Sequence, residues 1–153
     1  MDILKIPNKI LTSHAEDVKD FSGMESLSLD MISTAIQADL IGLSGNQVGL
    51  LKRVFVINMA QGEETPNYRT FINPKTKVNQ AMGKSFAWEG CGSIPNINAL
   101  VERWQGLTIT AQDITGEIFT MKLTGLLARC AMHEIDHLNG VLMTSKARQL
   151  KRI

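Results

Sequence analysis

The stretch "GLLARCAMHEIDHLNG", residues 125–140, decides the fold because it joins a helical pattern to a spacing typical of metal ligands. His133 and His137 are four positions apart, so on a helix both imidazoles lie on one face and can reach the same ion. Glu134 then lies beside that ion, in position to transfer a proton. The stretch therefore predicts a helix that carries a metal site.

A hydrolytic metal site needs at least one further protein ligand, and the sequence after the motif does not supply it. Residues 138–153 contain no His, Cys, Asp or Glu, which excludes the zinc peptidases whose third ligand lies downstream. Cys130 lies seven residues before His137, a rise of about 10.5 Å along a helix. Two ligands of one ion lie only about 3.5–4 Å apart. Cys130 is therefore predicted to be a small buried residue that lines the site.

Cys91 is the favoured upstream candidate, and the upstream carboxylates stay open as alternatives. It lies in "WEGCGSIP", residues 88–95, between Gly90 and Gly92, and glycines let the backbone approach an ion closely. His14 lies in the polar stretch "SHAED" and is expected to be exposed. Alternatively, the two histidines and the glutamate could simply form a polar, solvent-exposed face of the helix and bind no metal. However, two of the chain's 3 histidines fall at ligand spacing on an apolar helix, which favours the metal site.

The composition is that of a soluble globular protein. The 153 residues are 44% hydrophobic and 20% charged, with a formal net charge of +1, so no overall field favours specific DNA binding or a membrane surface. No apolar run is long enough to span a bilayer, and the charged N-terminus "MDILKIPNKI" lacks the apolar region of a secretion signal. With 2 cysteines and no export signal, a reducing, cytoplasmic setting is expected.

The C-terminal segment "SKARQLKRI", residues 145–153, is locally basic, with four basic side chains and no acidic one. We interpret it as a solvated basic tail. Weak contact with a polyanion such as ribosomal RNA is the alternative.

The hydrophobic pattern predicts an α+β fold. Leu29, Ile32, Ile36 and Leu40 lie at helical spacing within residues 25–40, which predicts an amphipathic helix. Strand and loop signals follow it: a glycine-rich loop at 41–50, strands at 53–58 and 68–79 (the latter interrupted by Pro74), and a β-hairpin over 106–124.

The motif-bearing helix is expected to be central. Thr124 can cap its start and Gly140 suits its end. Leu126, Leu127 and Cys130 continue an inward-facing stripe. We therefore predict one catalytic domain, residues 1–153, in which antiparallel β-sheets pack around a central metal-binding helix.

Three segments, "GLSGNQVG" (42–49), "EGCGS" (89–93) and "HEIDH" (133–137), resemble in this order the signature motifs of the peptide deformylase family. The resemblance covers nearly the whole chain. It implies a metal-dependent cytoplasmic hydrolase that removes the formyl group from the N-terminal formylmethionine of nascent polypeptides and releases formate.

The resemblance also implies the ligand set and the proton carrier. Cys91, His133 and His137 would bind one divalent metal ion, natively Fe²⁺, with Zn²⁺, Ni²⁺ or Co²⁺ able to fill the same site. Glu134 would be the general acid/base.

Other residues would bind the substrate or the developing charge. The resemblance implies that the Gln47 side chain stabilises the oxyanion, and the backbone N–H of Gly92 is a second donor. We expect an extended substrate to dock along the backbone of Ile41, Gly42 and Gly90.

Several residues depart from the usual family pattern, and the C-terminus is shorter than in many bacterial members. Leu40 stands where a glycine is usual, Asn46 replaces the usual proline, and Gly92 replaces the usual leucine after the cysteine. Gly92 keeps a backbone donor but removes an apolar wall, which a leucine there is expected to restore. The alternative is that glycine is required for a positive φ or for room near the metal.

Two other functions remain open on these residues. One is a non-catalytic relative that binds ribosomes or nascent chains, and the other is a relative of altered specificity that hydrolyses other amides. The intact ligands and Glu134 favour an enzyme, because a pure binding module does not need them.

Overall fold

Three helices and eight strands follow one another in the computed structural model, which describes residues 1–153. The helices are α1 (Met24–Gln37), α2 (Gly125–Leu138) and α3 (Met143–Lys146). The strands are β1 (Gly42–Ser44), β2 (Val54–Asn58), β3 (Tyr68–Val78), β4 (Lys84–Cys91), β5 (Ile94–Trp104), β6 (Gly106–Gln112), β7 (Ile118–Thr124) and β8 (Ala147–Arg152). Short 3-10 turns cover Lys9–Thr12, Asn46–Val48 and Gln80–Met82.

The strands form two antiparallel sheets, and α2 lies between them. The larger sheet has the order β1-β2-β3-β6-β7, and the smaller has the order β4-β5-β8. Helix α2 contacts β1, β2, β6 and β7 of the larger sheet and β5 of the smaller one. The largest core cluster packs the helix against the larger sheet and includes Phe55, Phe71, Ile109, Ala128 and Leu138. The predicted α+β architecture around a central helix is confirmed.

Helix α2 begins and ends where the sequence predicts. Thr124 is the N-cap residue, although its side chain makes no capping hydrogen bond. Gly140, with φ 73°, lies just beyond the C-terminal end, where left-handed glycine is common. The inward stripe is only partly correct: Leu127 and Cys130 pack against the core, but Leu126 is 53% exposed.

The strand predictions for the larger sheet are confirmed. Strands β6 and β7 pair from Gly106 opposite Thr124 to Gln112 opposite Ile118, which is the expected hairpin. Strand β3 contains the expected interruption, since its register with β6 shifts between Ile72 and Lys75.

Helix α1 is confirmed, but its predicted apolar face is only partly correct, since Ile32 and Leu40 pack against a core cluster and the other two residues do not. Leu29 is 61% exposed and Ile36 is 49% exposed, whereas Met24, Met31 and Ala35 are buried. Two apolar stripes share this helix, and helical spacing alone does not say which one packs against the sheet.

Two segments are more ordered than predicted. The stretch 41–50 is not only a loop, because β1 pairs with β2. The basic C-terminus is not a tail, because β8 pairs with β5, and its Arg148 and Lys151 side chains lie over the rings of Phe86 and Trp88 at 5.3 and 5.7 Å. No helix combines the length and the apolar character needed to cross a membrane.

Candidate metal centre and active site

The end of β4 and one face of α2 bring three potential metal ligands together. The Sγ atom of Cys91 lies 3.3 Å from Nε2 of His137, and the Nε2 atoms of His137 and His133 lie 3.2 Å apart. All three ligand atoms lie within 4.8 Å of one another. Two ligand atoms of one ion with bonds of about 2.0–2.3 Å lie within about 4 Å of each other. The spacing therefore suits a single divalent ion, and no upstream carboxylate belongs to the group.

The surroundings of the two imidazoles also fit a metal ion. The Nδ1 atom of His133 lies 2.9 Å from Oε1 of Glu89. Burial alone would lower the pKa of His133, but its contacts with Cys91 and Glu89 outweigh burial and raise the pKa to about 10. A metal ion bound at Nε2 would therefore displace a proton from that nitrogen, while Nδ1 keeps donating to Glu89. Burial and the neighbouring His133 hold the pKa of His137 well below its usual value. This imidazole is therefore neutral, the form that binds metals.

Glu134 lies beside the ligand group without a partner of its own. Its side chain is buried, its Oε1 atom has no hydrogen-bond partner, and burial raises its pKa to about 7. A Cβ atom on Gly42 would lie only 2.7 Å from Oε2 of Glu134, so glycine leaves room for the carboxylate. An unpaired carboxylate with a pKa near neutrality can both accept and release a proton.

The Gln47 side chain is held in one orientation. The backbone N–H and the hydroxyl of Ser44 donate to its Oε1 at 3.0 and 3.2 Å. Because a backbone N–H can only donate, Oε1 faces Ser44 and Nε2 faces the other way. The Nε2 atom lies 3.2 Å from Oγ of Ser93 and 3.7 Å from Sγ of Cys91. A side-chain donor is thus directed at the ligand group.

A buried ionic network stands behind His133, and the sequence analysis did not identify it. The Glu89 carboxylate accepts hydrogen bonds from Arg103 at 2.6 and 2.9 Å and from Arg129 at 2.7 Å. Burial would raise the pKa of Glu89, but the hydrogen bonds from His133 and Arg103 outweigh it and lower the pKa to about 2. Arg103 is 14 residues away on β5, and no sequence spacing connects it to Glu89.

The N-terminal segment crosses both loops of the site, which the sequence analysis also missed. The Leu4 N–H donates to the carbonyl of Gln47 at 2.7 Å, and the Lys5 ammonium donates to the carbonyl of Gly92 at 2.6 Å. These bonds tie the turn that carries Gln47 to the loop that follows Cys91.

The remaining candidate ligands lie apart from the group. Cys130 is partly buried and packs against the core, as predicted. Burial raises the pKa of its thiol to about 12, so it stays neutral. His14 is exposed, as expected.

A cavity of about 380 Å³ opens in front of the ligand group. Its walls combine apolar side chains with glycine backbone. They come from β1 and the turn before it, from β4 and from α2, and include Leu40, Ile41, Gly42, Trp88, Gly90 and Leu126. Gly92 also lines the cavity, and a Cβ atom there would lie 2.9 Å from Cδ1 of Leu40. The expectation that Gly92 leaves an apolar wall missing is therefore wrong, because Leu40 fills that space.

The family model for polypeptide deformylase matches residues 1–153. The peptide deformylase of Thermodesulfovibrio yellowstonii is 35% identical over 153 residues, covering 99% of this chain and 92% of that protein. A probable peptide deformylase from Synechococcus phage S-SSM7 superposes with a TM-score of 0.88 at 34% identity, covering 95% of this chain and 98% of that one. Peptide deformylase 1B of Arabidopsis thaliana superposes with a TM-score of 0.90 at 36% identity, covering 97% of this chain and 82% of that one. The chain therefore belongs to the polypeptide deformylase family, metal-dependent enzymes that remove the formyl group from nascent peptides.

Proposed function

We propose that residues 1–153 form one catalytic domain that hydrolyses the formyl amide of N-formylmethionyl peptides. One observation carries this proposal. Three ligand atoms from Cys91, His133 and His137 meet at one side of a cavity, with the buried, unpaired carboxylate of Glu134 beside them. A thiolate and two imidazoles would hold a divalent ion through three protein ligands, the number that hydrolytic sites use. The products are formate and a free amino terminus.

The proposed ligands are Cys91, His133 and His137, and the proposed native ion is Fe²⁺. Mixed sulfur and nitrogen donors also accept Zn²⁺, Ni²⁺ or Co²⁺. When bound, such an ion supplies Lewis acidity that polarises the formyl carbonyl and makes water more acidic.

Glu134 is proposed to move the proton. Its carboxylate takes a proton from the attacking water and delivers it to the leaving amine nitrogen, so one group serves both halves of the reaction. The absence of a hydrogen-bond partner at Oε1 supports this role, because no protein donor competes for that oxygen.

Gln47 and Gly92 are proposed to stabilise the oxyanion. The Gln47 side chain donates through Nε2, whose direction is set by Ser44, and Gly92 donates through its backbone N–H. Donors that are oriented before the reaction stabilise developing charge without reorganisation at the moment of reaction.

An extended substrate is proposed to bind between the edges of β1 and β4. The Ile41 carbonyl accepts a hydrogen bond from the Asn58 N–H, and the Gly45 N–H donates to the carbonyl of Val54 on β2, both at 2.8 Å. In an antiparallel pair, hydrogen-bonded residues alternate with residues whose main-chain groups point to the other side. The N–H and C=O groups of Gly42 therefore point away from β2. Gly42 and the exposed Gly90 then offer backbone to the substrate from either side. Ile41 is proposed to contribute its exposed side chain.

The proposal is tested by purifying the protein anaerobically, measuring its metal content and following formate release from formyl-Met-Ala-Ser. The acetyl analogue is the matched control. We expect formate from the formyl peptide and little acetate from the analogue. Metal-loaded protein that releases no formate would instead be a non-catalytic relative. Comparable cleavage of both peptides would indicate a broader amide hydrolase.

We further propose that the enzyme works in the cytoplasm on chains that are leaving the ribosome, with a weak contact to ribosomal RNA through β8. The exposed side chains of Arg148, Lys151 and Arg152 on this edge strand support the contact. Sedimentation with ribosomes should weaken as salt rises and should be lost when these three residues are changed to Gln. Unchanged sedimentation would argue against the contact.

A further inference from the structure

Leu40 and Gly92 leave no room for a side chain at residue 92. A Cβ atom on Gly92 would lie 2.9 and 3.2 Å from Cδ1 and Cδ2 of Leu40 and 3.6 Å from its Cγ. These are the three nearest atoms, and all belong to Leu40. Gly92 does not have a left-handed backbone, so its lack of a side chain is explained by space rather than by conformation.

The backbone of Leu40 is held on both sides. Its N–H donates to the carbonyl of Ala35 at 2.9 Å, and its carbonyl accepts the hydroxyl of Tyr68. Asp39, immediately before it, has φ 53° and turns the chain from α1 towards β1. Relief of a clash at residue 92 must therefore come from rotation of the Leu40 side chain, since the main chain cannot easily move.

The contact lies where the first side chain of a substrate must go. Leu40 and Gly92 line the same cavity as Cys91, His133 and Glu134. A formyl carbon that reaches these groups brings its own residue's side chain into that cavity. The isobutyl group of Leu40 therefore limits the width available to this side chain.

We propose that Leu40 and Gly92 form a steric pair that sets which first residue of a formyl peptide the cavity accepts, with Leu40 as the specificity-determining side chain. This inference rests on the proposed deformylase function. The two residues depend on each other: a leucine at 92 needs a small residue at 40, and a leucine at 40 needs a glycine at 92.

Steady-state kinetics of Leu40→Gly, Gly92→Leu and the double variant test the pair. With formyl-Met-Ala-Ser, Gly92→Leu is expected to lose at least about tenfold in kcat/KM, and adding Leu40→Gly should recover most of that loss. Leu40→Gly alone should widen the cavity and raise the kcat/KM ratio of formyl-Phe-Ala-Ser to formyl-Met-Ala-Ser by about tenfold. Additive effects of the two changes, or an unchanged ratio, would overturn the proposal.

A second readout does not depend on turnover. Gly92→Leu should lower the urea midpoint and the bound metal per chain, and Leu40→Gly, or Leu40→Ala if glycine prevents folding, should restore both. Leu126→Gly is the matched control, because Leu126 lines the same cavity from α2 but should not rescue Gly92→Leu. Absence of formate release in the unmodified protein would overturn the proposed function and with it the assignment of specificity. The steric contact itself would still be tested in that case: recovery of the urea midpoint and metal content by Leu40→Gly would support it, and no recovery would contradict it.

Discussion

Glu89 orients His133: Oε1 of Glu89 lies 2.9 Å from Nδ1 of His133, and the same carboxylate is held by Arg103 at 2.6 and 2.9 Å. The bond occupies Nδ1 and turns Nε2 of His133 towards the other two potential ligands. The two arginines that contact Glu89 are themselves buried, so the carboxylate has both a ligand-orienting and a charge-balancing role.

Glu89→Gln should therefore affect metal affinity and stability together. We expect metal affinity to fall about 10–100-fold and the free energy of unfolding to fall by about 3–5 kcal/mol, because Arg103 and Arg129 lose their buried counter-charge. Chelator competition and urea unfolding measure the two effects. Glu102→Gln, an exposed change on β5, is the control and should alter neither. Full metal affinity in Glu89→Gln would show that His133 does not need this bond.

The two cysteines should differ in metal binding. Cys91→Ala should lose most bound metal, whereas Cys130→Ala should keep it, because only Cys91 lies within reach of both histidines. Metal content per chain, measured after identical purification, decides between them. Full occupancy in the Cys91 variant would exclude this thiol as a ligand.

Glu134→Gln should separate catalysis from binding. The carboxylate has an oxygen without a partner and lies outside the ligand group, so the fold and metal content should be retained. Turnover of formyl-Met-Ala-Ser should fall by about 10²–10⁴-fold, the usual scale for a positioned acid/base. A loss of less than tenfold with metal retained would mean that another group moves the proton.

Gln47 and Ser44 should show a graded effect on turnover. Gln47→Ala removes the proposed oxyanion donor and should lower the turnover number by about 10²–10³-fold. Ser44→Ala removes only the hydroxyl, while the backbone N–H at 3.0 Å still orients the amide, so its effect should be below about tenfold. Equal losses in both variants would indicate that disrupted local structure, rather than the donor, is responsible.

The two faces of α1 should differ in stability. Met31→Ala removes a fully buried side chain and should cost about 2–5 kcal/mol of unfolding free energy. Leu29→Ala, on the exposed face, should change it by less than about 0.5 kcal/mol. Urea unfolding of both variants tests which stripe packs against the sheet, and a reversed order would contradict the buried face described here.

Local sequence patterns determined the elements whose geometry depends on near neighbours. The spacing of His133 and His137 specified their shared helical face and placed Glu134 beside it, because the helical repeat is the same in any context. The alternating residues of 106–124 specified the hairpin of β6 and β7, because the two strands are joined by a short turn and pair with each other directly. The same helical geometry excluded Cys130 as a ligand together with both histidines.

Only the tertiary structure decided how separate elements meet. It paired Arg103 with Glu89, selected Met31 rather than Leu29 for the buried face of α1, and set Leu40 against Gly92. These relationships depend on packing between residues far apart in the chain. The repeat of apolar residues within one helix or strand does not say which other helix or strand packs against it. For that reason the metal ligands on one helix could be inferred directly, while the shape of the cavity in front of them required the folded chain.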